Sequence, residues 1–460
     1  MYQLVIANAE VITGAASFPA DVGINGERIA AVGMGLQGER VVDAGGCYLI
    51  PGGVDAHVHL QTPVAKYVSS DDFRSGTVAA ACGGTTSVID FVHPQPEQPM
   101  LDALAARRAE ADGRVVIDYG LHMNIPVWHA DHRLDRIAKV MAAGIYSFKM
   151  YQAYGPLCLD DARLYEVLRA LARHGALPIL HSENGPVIDR LRSEALAAGH
   201  TAPIWHARTR PATLEAEAVG GALELARQAG AALLIVHVSC AESLDRIAAA
   251  RREGQAAYGE TCPQYLFLTG DKLAGEHGER FVCAPPLRHE TDHAALWGGL
   301  ARGELQILST DHCPFTAAEK AAEPGFDGVP GGLPSIEARL GLAHDAARRG
   351  LLSLSRWVEI CCTGPAHLFN LPRKGHVAPG YDADLVIFDP RCPVEVSAQG
   401  LHERVDWSPY EGLHLTGWPR DVFSRGEQIV RDGEFVGQAG RGRFIAIPPV
   451  ERAGRPAGLA

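Results

Sequence analysis

The middle of the chain alternates between two hydrophobic rhythms. Short runs such as GVDAHVH, TSVIDF, VIDYGLHM, YSFKMY, LPILH, LLIVHV, AAYGET and LQILST are apolar almost residue for residue, the pattern of a parallel strand buried on both faces. Longer stretches between them carry apolar positions three and four apart, among them MLDALAARRAEA, DARLYEVLRALARHG, TLEAEAVGGALELARQAG and ESLDRIAAARREG. That spacing is the signature of an amphipathic helix. Strand and helix in alternation predict an α/β fold with a parallel sheet. Counted this way there are eight strands, which predicts a (β/α)8 TIM-like barrel.

The two ends of the chain have a different texture. YQLVIANAEVI, ADVGING, RIAAVG and ERVVDAGG near the start, and DADLVIFD and DVFSRGEQIVRDGEFV near the end, read as short strands separated by glycine. ING and RDG are hairpin-turn signals. Strand-rich ends around an alternating middle predict one smaller β-sandwich domain built from residues 1–50 and 372–445, with residues 51–371 forming the barrel. Residues 446–460, rich in Pro, Gly, Ala and Arg, are expected to be a mobile tail.

Composition narrows the function classes. A chain of 460 residues exceeds one ordinary core. A net charge of −12 opposes nonspecific binding to nucleic acid, and no RNA-binding signature is present. No apolar run reaches the roughly 20 residues a membrane-spanning helix needs. The ten cysteines lack CxxC-type spacing and follow no secretory leader. They read as reduced thiols of a cytoplasmic protein, with adjacent Cys361 and Cys362 as packing residues.

Six polar residues end the apolar runs: His57 and His59 in GGVDAHVHL, Lys149 in YSFKMY, His181 in LPILHSEN, His237 in ALLIVHVS and Asp311 in LQILSTDH. In a barrel such strand ends converge on one face. A lone HxH is expected about once by chance with 20 histidines, and a single buried histidine is more often a satisfied core residue than a ligand. On a strand, however, His57 and His59 point to the same side. Four histidines and an aspartate at strand ends point to a metal centre. His129 and His132 in VWHADHR have helical spacing but lie in a polar, loop-like segment and are set aside as a decoy pair. Lys149 admits two readings. As an ammonium it has no lone pair for a cation and would be a barrel lysine paired with an acid. As a buried neutral amine it can combine with CO2, and the resulting carbamate could bridge two metals.

The surrounding motifs settle on a resemblance. PGGVDAHVHLQTP, SDDFRSGTVAAACGGTTSVIDF, FKMYQAYG, HSENG, HVSCAESL, YGETCPQYL, APPLR, STDHCPF, KGHVAPGYDADLVIFDP and WPRDVFSRGEQIVRDGEFVGQAGRGRF resemble the dihydropyrimidinase/hydantoinase family. This family belongs to the amidohydrolase superfamily, in its binuclear subtype with a carboxylated lysine. The similarity spans about residues 1–445. It implies two Zn²⁺ per chain, with Mn²⁺ or Co²⁺ as alternatives. One would be held by His57, His59 and Asp311 and the other by His181 and His237, with carboxylated Lys149 and a hydroxide bridging them. The implied reaction opens a dihydropyrimidine or a 5-monosubstituted hydantoin to an N-carbamoyl amino acid, with Asp311 as proton shuttle and Tyr154 as oxyanion donor. Backbone groups at Ala284 and Gly331, where relatives often carry Ser and Asn, would bind the imide edge of the substrate. Val64, Tyr151 and Cys158 match three loop positions that gate the exocyclic group. Bulkier apolar residues are common at the first and last of these, so a larger substituent is expected to fit. The resemblance also implies a homotetramer.

Two other readings are weighed against this one. Dihydroorotases follow the first HxH with Leu-Arg, a bidentate clamp for the substrate carboxylate, whereas His59 is followed here by Leu60-Gln61. Allantoinase remains the alternative enzyme. A noncatalytic scaffold of the collapsin-response-mediator type, which has lost ligands, is opposed by the presence of all six ligand positions and Tyr154.

Overall fold

The structure, a computed structural model, describes residues 1–132 and 134–447, without the side chains of residues 128, 131 and 132. Eight parallel strands form the central sheet: Gly53–Asp55, Thr85–Val92, Asp118–Asn124, Ser147–Tyr151, Leu177–His181, Leu233–Ile235, Ala257–Thr261 and Ile307–Leu308. They lie side by side in chain order. A bridge between Val58 and His312 links the segments leaving the first and eighth strands and brings the sheet's two edges together. The result is a TIM-like barrel. Every residue of these strands except Tyr258 is buried, because one face fills the barrel and the other is covered by helices.

The covering helices include Met100–Ala111, Asp161–His174, Ala212–Ala229 and Ala241–Arg252. Asp161–His174 shows why these residues choose helix. Asp160 caps it by accepting from the Arg163 amide at 2.9 Å, and Gly175 ends it with φ 69°. Leu164, Val167, Leu168 and Leu171 form its buried stripe. One segment departs from expectation. Val127–His132, read as loop-like, is helical. The Pro126 carbonyl accepts from the amides of His129 and Ala130, so a proline sets the first turn.

The strand-rich termini share one nine-stranded sheet. Tyr48–Pro51 lies between Tyr2–Ile12 from the start of the chain and Leu385–Glu395 from its end. Ile6, Val22, Leu49, Leu385, Ile387 and Phe423 belong to its own core. The turn signals work as expected: Asn25 pairs with Arg28 across the first hairpin, and Asp432 and Gly433 both have positive φ, as a tight two-residue hairpin turn requires. Beyond this sheet the chain runs along the barrel, where Tyr119 donates to Arg443 O and Ile445 donates back to Tyr119 O. Of the expected mobile tail, Ile447 is buried and donates to Gly144 O; residues 448–460 lie outside the described residues.

Sheet and barrel are joined by a buried charge cluster. Lys374 Nζ lies 2.7 Å from Asp118 of the third barrel strand, 3.0 Å from Asp382 and 2.6 Å from Asp384. Arg425 adds a second cation against Asp118. Three buried carboxylates this close need such a countercharge, and the lysine supplies it without a metal. Among the described residues no helix is long and apolar enough to cross a membrane. The ten cysteines are unpaired, and Cys361 and Cys362 are buried in the main core.

Candidate metal centre

The carboxyl ends of the barrel strands bring the six predicted residues to one place, but not as simple strand positions. Lys149 lies within the fourth strand and His181 ends the fifth. His57 and His59, expected on the first strand, follow its last residue, Asp55; His237 follows Ile235, and Asp311 follows Leu308. The ladder stops before these residues because the chain must turn inward. His237 (φ 41°) and Asp311 (φ 52°) are in the left-handed region, where a non-glycine residue costs roughly 1–3 kcal/mol. Strain of that kind is kept where a side chain has to be aimed.

Three donor atoms converge in the first half of the site. His57 Nε2 and His59 Nε2 each lie 3.1 Å from Asp311 Oδ1. The proton positions make this arrangement informative. Glu260 Oε1 accepts the His237 amide at 3.1 Å and lies 2.7 Å from His57 Nδ1. An oxygen already accepting from an amide also accepts from the imidazole, so the His57 proton sits on Nδ1. Its Nε2 is then a bare lone pair facing a carboxylate oxygen, two acceptors with no proton between them. A cation resolves that conflict, and imidazole nitrogen with carboxylate oxygen suits zinc.

The second half repeats the logic. Arg210 donates to Glu183 Oε2 at 2.7 Å, and the same oxygen lies 2.8 Å from His181 Nε2. That places the His181 proton on Nε2 and leaves Nδ1 free, 3.0 Å from His237 Nε2. His57 and His237 rings lie 5.6 Å apart between centroids, so the halves adjoin. Burial holds His57 and His237 well below the usual histidine range and lowers His181, which keeps them neutral as metal ligation requires. Burial alone would raise the Glu183 carboxyl, but Arg210 and His181 outweigh it and hold it at about 2.

Lys149 is buried and, among the described residues, makes no ion pair. Its Nζ lies 5.5 Å from the Phe91 ring centroid and 5.4 Å from that of Tyr151. An acid partner, the alternative reading of this lysine, is therefore not found. Burial lowers its pKa, with Asp311 and Glu260 opposing, and so favours the free amine.

Tyr154 follows the fourth strand with φ 68°, and its ring centroid lies 4.7 Å from that of His181. It is 36% exposed, yet desolvation holds its hydroxyl protonated, well above the usual range, with Glu183 and Asp311 adding to the effect and Arg210 opposing it. A surface cavity of about 230 Å³ adjoins Tyr154, lined also by Pro156, Ile188, Arg192 and Arg210. None of the six candidate ligands lines it. Ala284 and Gly331 are half-buried on neighbouring segments, tied by Gly332 N–H donating to Val282 O at 3.1 Å. A side-chain carbon built on Gly331 meets nothing within 4 Å, so open space faces it. Of the gating positions, Tyr151 and Cys158 are joined by a β-bridge, while Val64 lies on a separate hairpin with Tyr67–Val68.

Glu183, Arg210 and Glu260 escaped the sequence reading. The available signals were an acid one residue before the end of the seventh strand in YGET and an acid two residues past His181 in HSEN; the carboxyl ends of barrel strands are where such residues matter.

Comparison with known proteins gives this site its context. The model of the amidohydrolase family matches residues 48–429. A D-hydantoinase of Geobacillus stearothermophilus is 43% identical over 450 residues, covering 96% of this chain and 95% of its own. One from Streptomyces coelicolor is 41% identical over 453 residues, covering 96% and 97%. The crystal structure of dihydropyrimidinase from Brevibacillus agri superposes with a TM-score of 0.95 at 42% identity, covering 97% and 99%. Family membership implies a metal centre, and the clustered His57, His59 and Asp311 are candidates to hold it. The chain thus belongs to the amidohydrolase family, within its hydantoinase/dihydropyrimidinase group.

Proposed function

We propose that this enzyme opens the rings of dihydropyrimidines or 5-monosubstituted hydantoins to N-carbamoyl amino acids, rather than acting as an allantoinase. The observation that carries the reading is the facing of His57 Nε2 and His59 Nε2 against Asp311 Oδ1, beside a buried lysine without an ion pair among the described residues, in a chain similar to D-hydantoinases over nearly its full length. His57, His59 and Asp311 would hold one Zn²⁺, His181 and His237 the other, and carboxylated Lys149 would bridge them; Mn²⁺ or Co²⁺ suits the same donors. The metals would supply a hydroxide at neutral pH and polarise the ring carbonyl. Glu260 and Glu183 fix the tautomers of His57 and His181.

The remaining steps belong to side chains and backbone. Asp311 takes the proton of the attacking hydroxide and delivers it to the leaving ring nitrogen. Tyr154 donates its hydroxyl hydrogen bond to the oxygen as charge develops there. The backbone at Ala284 and Gly331 pairs the neutral imide edge without a buried countercharge. Val64, Tyr151 and Cys158 border the exocyclic group. The domain division at about residues 50 and 371 is supported by the pairing of Tyr48–Pro51 with Leu385–Glu395 in the sheet outside the barrel. A cytoplasmic location is supported by the ten free thiols, and a homotetramer by the family resemblance.

Metal-replete enzyme assayed on dihydrouracil, 5-substituted hydantoins, allantoin and dihydroorotate is expected to prefer the first two classes. Allantoin or dihydroorotate turned over far faster than all of them would defeat the substrate assignment. In Tyr154→Phe, kcat should fall by roughly 10²–10³, the loss typical of one oxyanion donor. A steady-state assay on the best substrate checks this, and an unchanged kcat removes Tyr154 from the mechanism.

A further inference from the structure

We infer that Lys320 is a positioning residue for recognition of the substrate's imide edge, acting through the carbonyl of Val282. The inference rests on the reading that backbone groups at Ala284 and Gly331 bind that edge.

Lys320 lies on the short helix Ala317–Ala321 and is fully buried. Among the described residues it makes no ion pair. Its Nζ donates to Val282 O at 2.8 Å and lies 5.8 Å from the Phe315 ring centroid. Burial presses its pKa down to about 7, with Cys283, Cys313 and Glu279 opposing, and the buried His206 also interacts with it electrostatically. An unpaired buried lysine is a costly way to fill space; an apolar side chain of equal length would do that better. The side-chain hydrogen bond to Val282 O, the one it makes among the described residues, is therefore the place to look for its use.

Val282 O has two donors, Lys320 Nζ at 2.8 Å and Gly332 N–H at 3.1 Å. Ala284 lies two residues beyond Val282, and Gly331 immediately precedes Gly332. A single carbonyl thus fastens together the two segments that carry the imide-binding groups. The frame extends to the segment leaving the eighth strand, since Cys313 N–H, two residues beyond Asp311, donates to Leu333 O at 3.1 Å. The segments pack at backbone contact: Gly332 has φ 144°, and a side-chain carbon there would lie 2.3 Å from Cys313 O. Lys320 supports this frame from outside and touches none of the reacting groups. Without its Nζ, Val282 O keeps only the Gly332 bond, and the spacing between the two recognition segments is held less tightly. Ground-state binding of the imide should suffer, while metal and proton transfer stay intact.

The test is Lys320→Met in the full-length, metal-loaded enzyme, assayed on a 5-monosubstituted hydantoin. We expect KM to rise about tenfold, the worth of roughly one hydrogen bond's pre-organisation. Metal content should match the unmodified enzyme and kcat should stay within about threefold of it. Amide hydrogen exchange should accelerate at 282–284 and 331–333 and not in the fourth barrel strand. An unchanged KM, or a fall in kcat at constant KM, overturns the inference. If Lys320→Met does not fold, Lys320→Leu is judged by the same criteria. Failure of both to fold makes Lys320 a stability residue and also overturns it. If the unmodified enzyme opens no cyclic imide, the functional reading falls and takes this inference with it. If it does open one and the variant keeps its KM, only the inference falls.

Discussion

Lys149→Ala is expected to lose metal and activity together. His181 and His237 would then be left with two nitrogen donors and no anionic partner, fewer than the three protein ligands typical of a catalytic zinc site. Lewis-acid stabilisation is worth several kcal/mol, and each 1.36 kcal/mol is tenfold in rate, so kcat should fall by at least about 10³. Elemental analysis should show less than half the unmodified enzyme's metal. Acetate or propionate should restore part of both, because a small carboxylate can occupy the space that the lysine leaves among Phe91, Tyr151 and the histidines. A variant with full metal and near-normal turnover would refute the bridging role. So would a metal-loaded crystal showing an unmodified Lys149 amine.

Asp311→Asn separates metal binding from proton transfer. The backbone there has φ 52°, a conformation asparagine tolerates as readily as aspartate, so the exchange adds little strain. The amide keeps an oxygen near His57 and His59 but cannot accept a proton. We expect both metals to remain at substantial occupancy while kcat falls at least about 10²-fold, the lower range for loss of a general acid–base group. Turnover alongside metal content measures this, and near-normal kcat with both metals bound would refute the shuttle.

The barrel was legible because parallel strands are buried on both faces and therefore leave apolar runs. MLDALAARRAEA coincides with the helix Met100–Ala111, since its periodicity is helical and its flanks are not. Ligand identity was legible for a related reason: a polar residue just past an apolar run stands out. The exact backbone was less so. Alternation on a strand was a poor guide for His57 and His59, which follow the first strand; they converge because the Val58–His312 bridge keeps that segment extended. The carboxylates that set the tautomers were hidden for a different cause. His57 and Glu260 are 203 residues apart, and no local pattern encodes such a pairing. Lys374 and Lys320 were equally silent, because a lysine in a polar stretch looks solvated until the fold buries it.

The nine-stranded sheet has a consequence for how the chain is made. Tyr48–Pro51 needs Leu385–Glu395 as its partner on one side, and the ribosome delivers that partner only after the whole barrel. At about 5–20 residues per second, the first sheet strands wait some tens of seconds with one edge unpaired. An open strand edge invites pairing with any other chain. Nascent-chain quality control should therefore act mainly on this waiting half-sheet, and slowing elongation through the barrel should increase aggregation rather than relieve it.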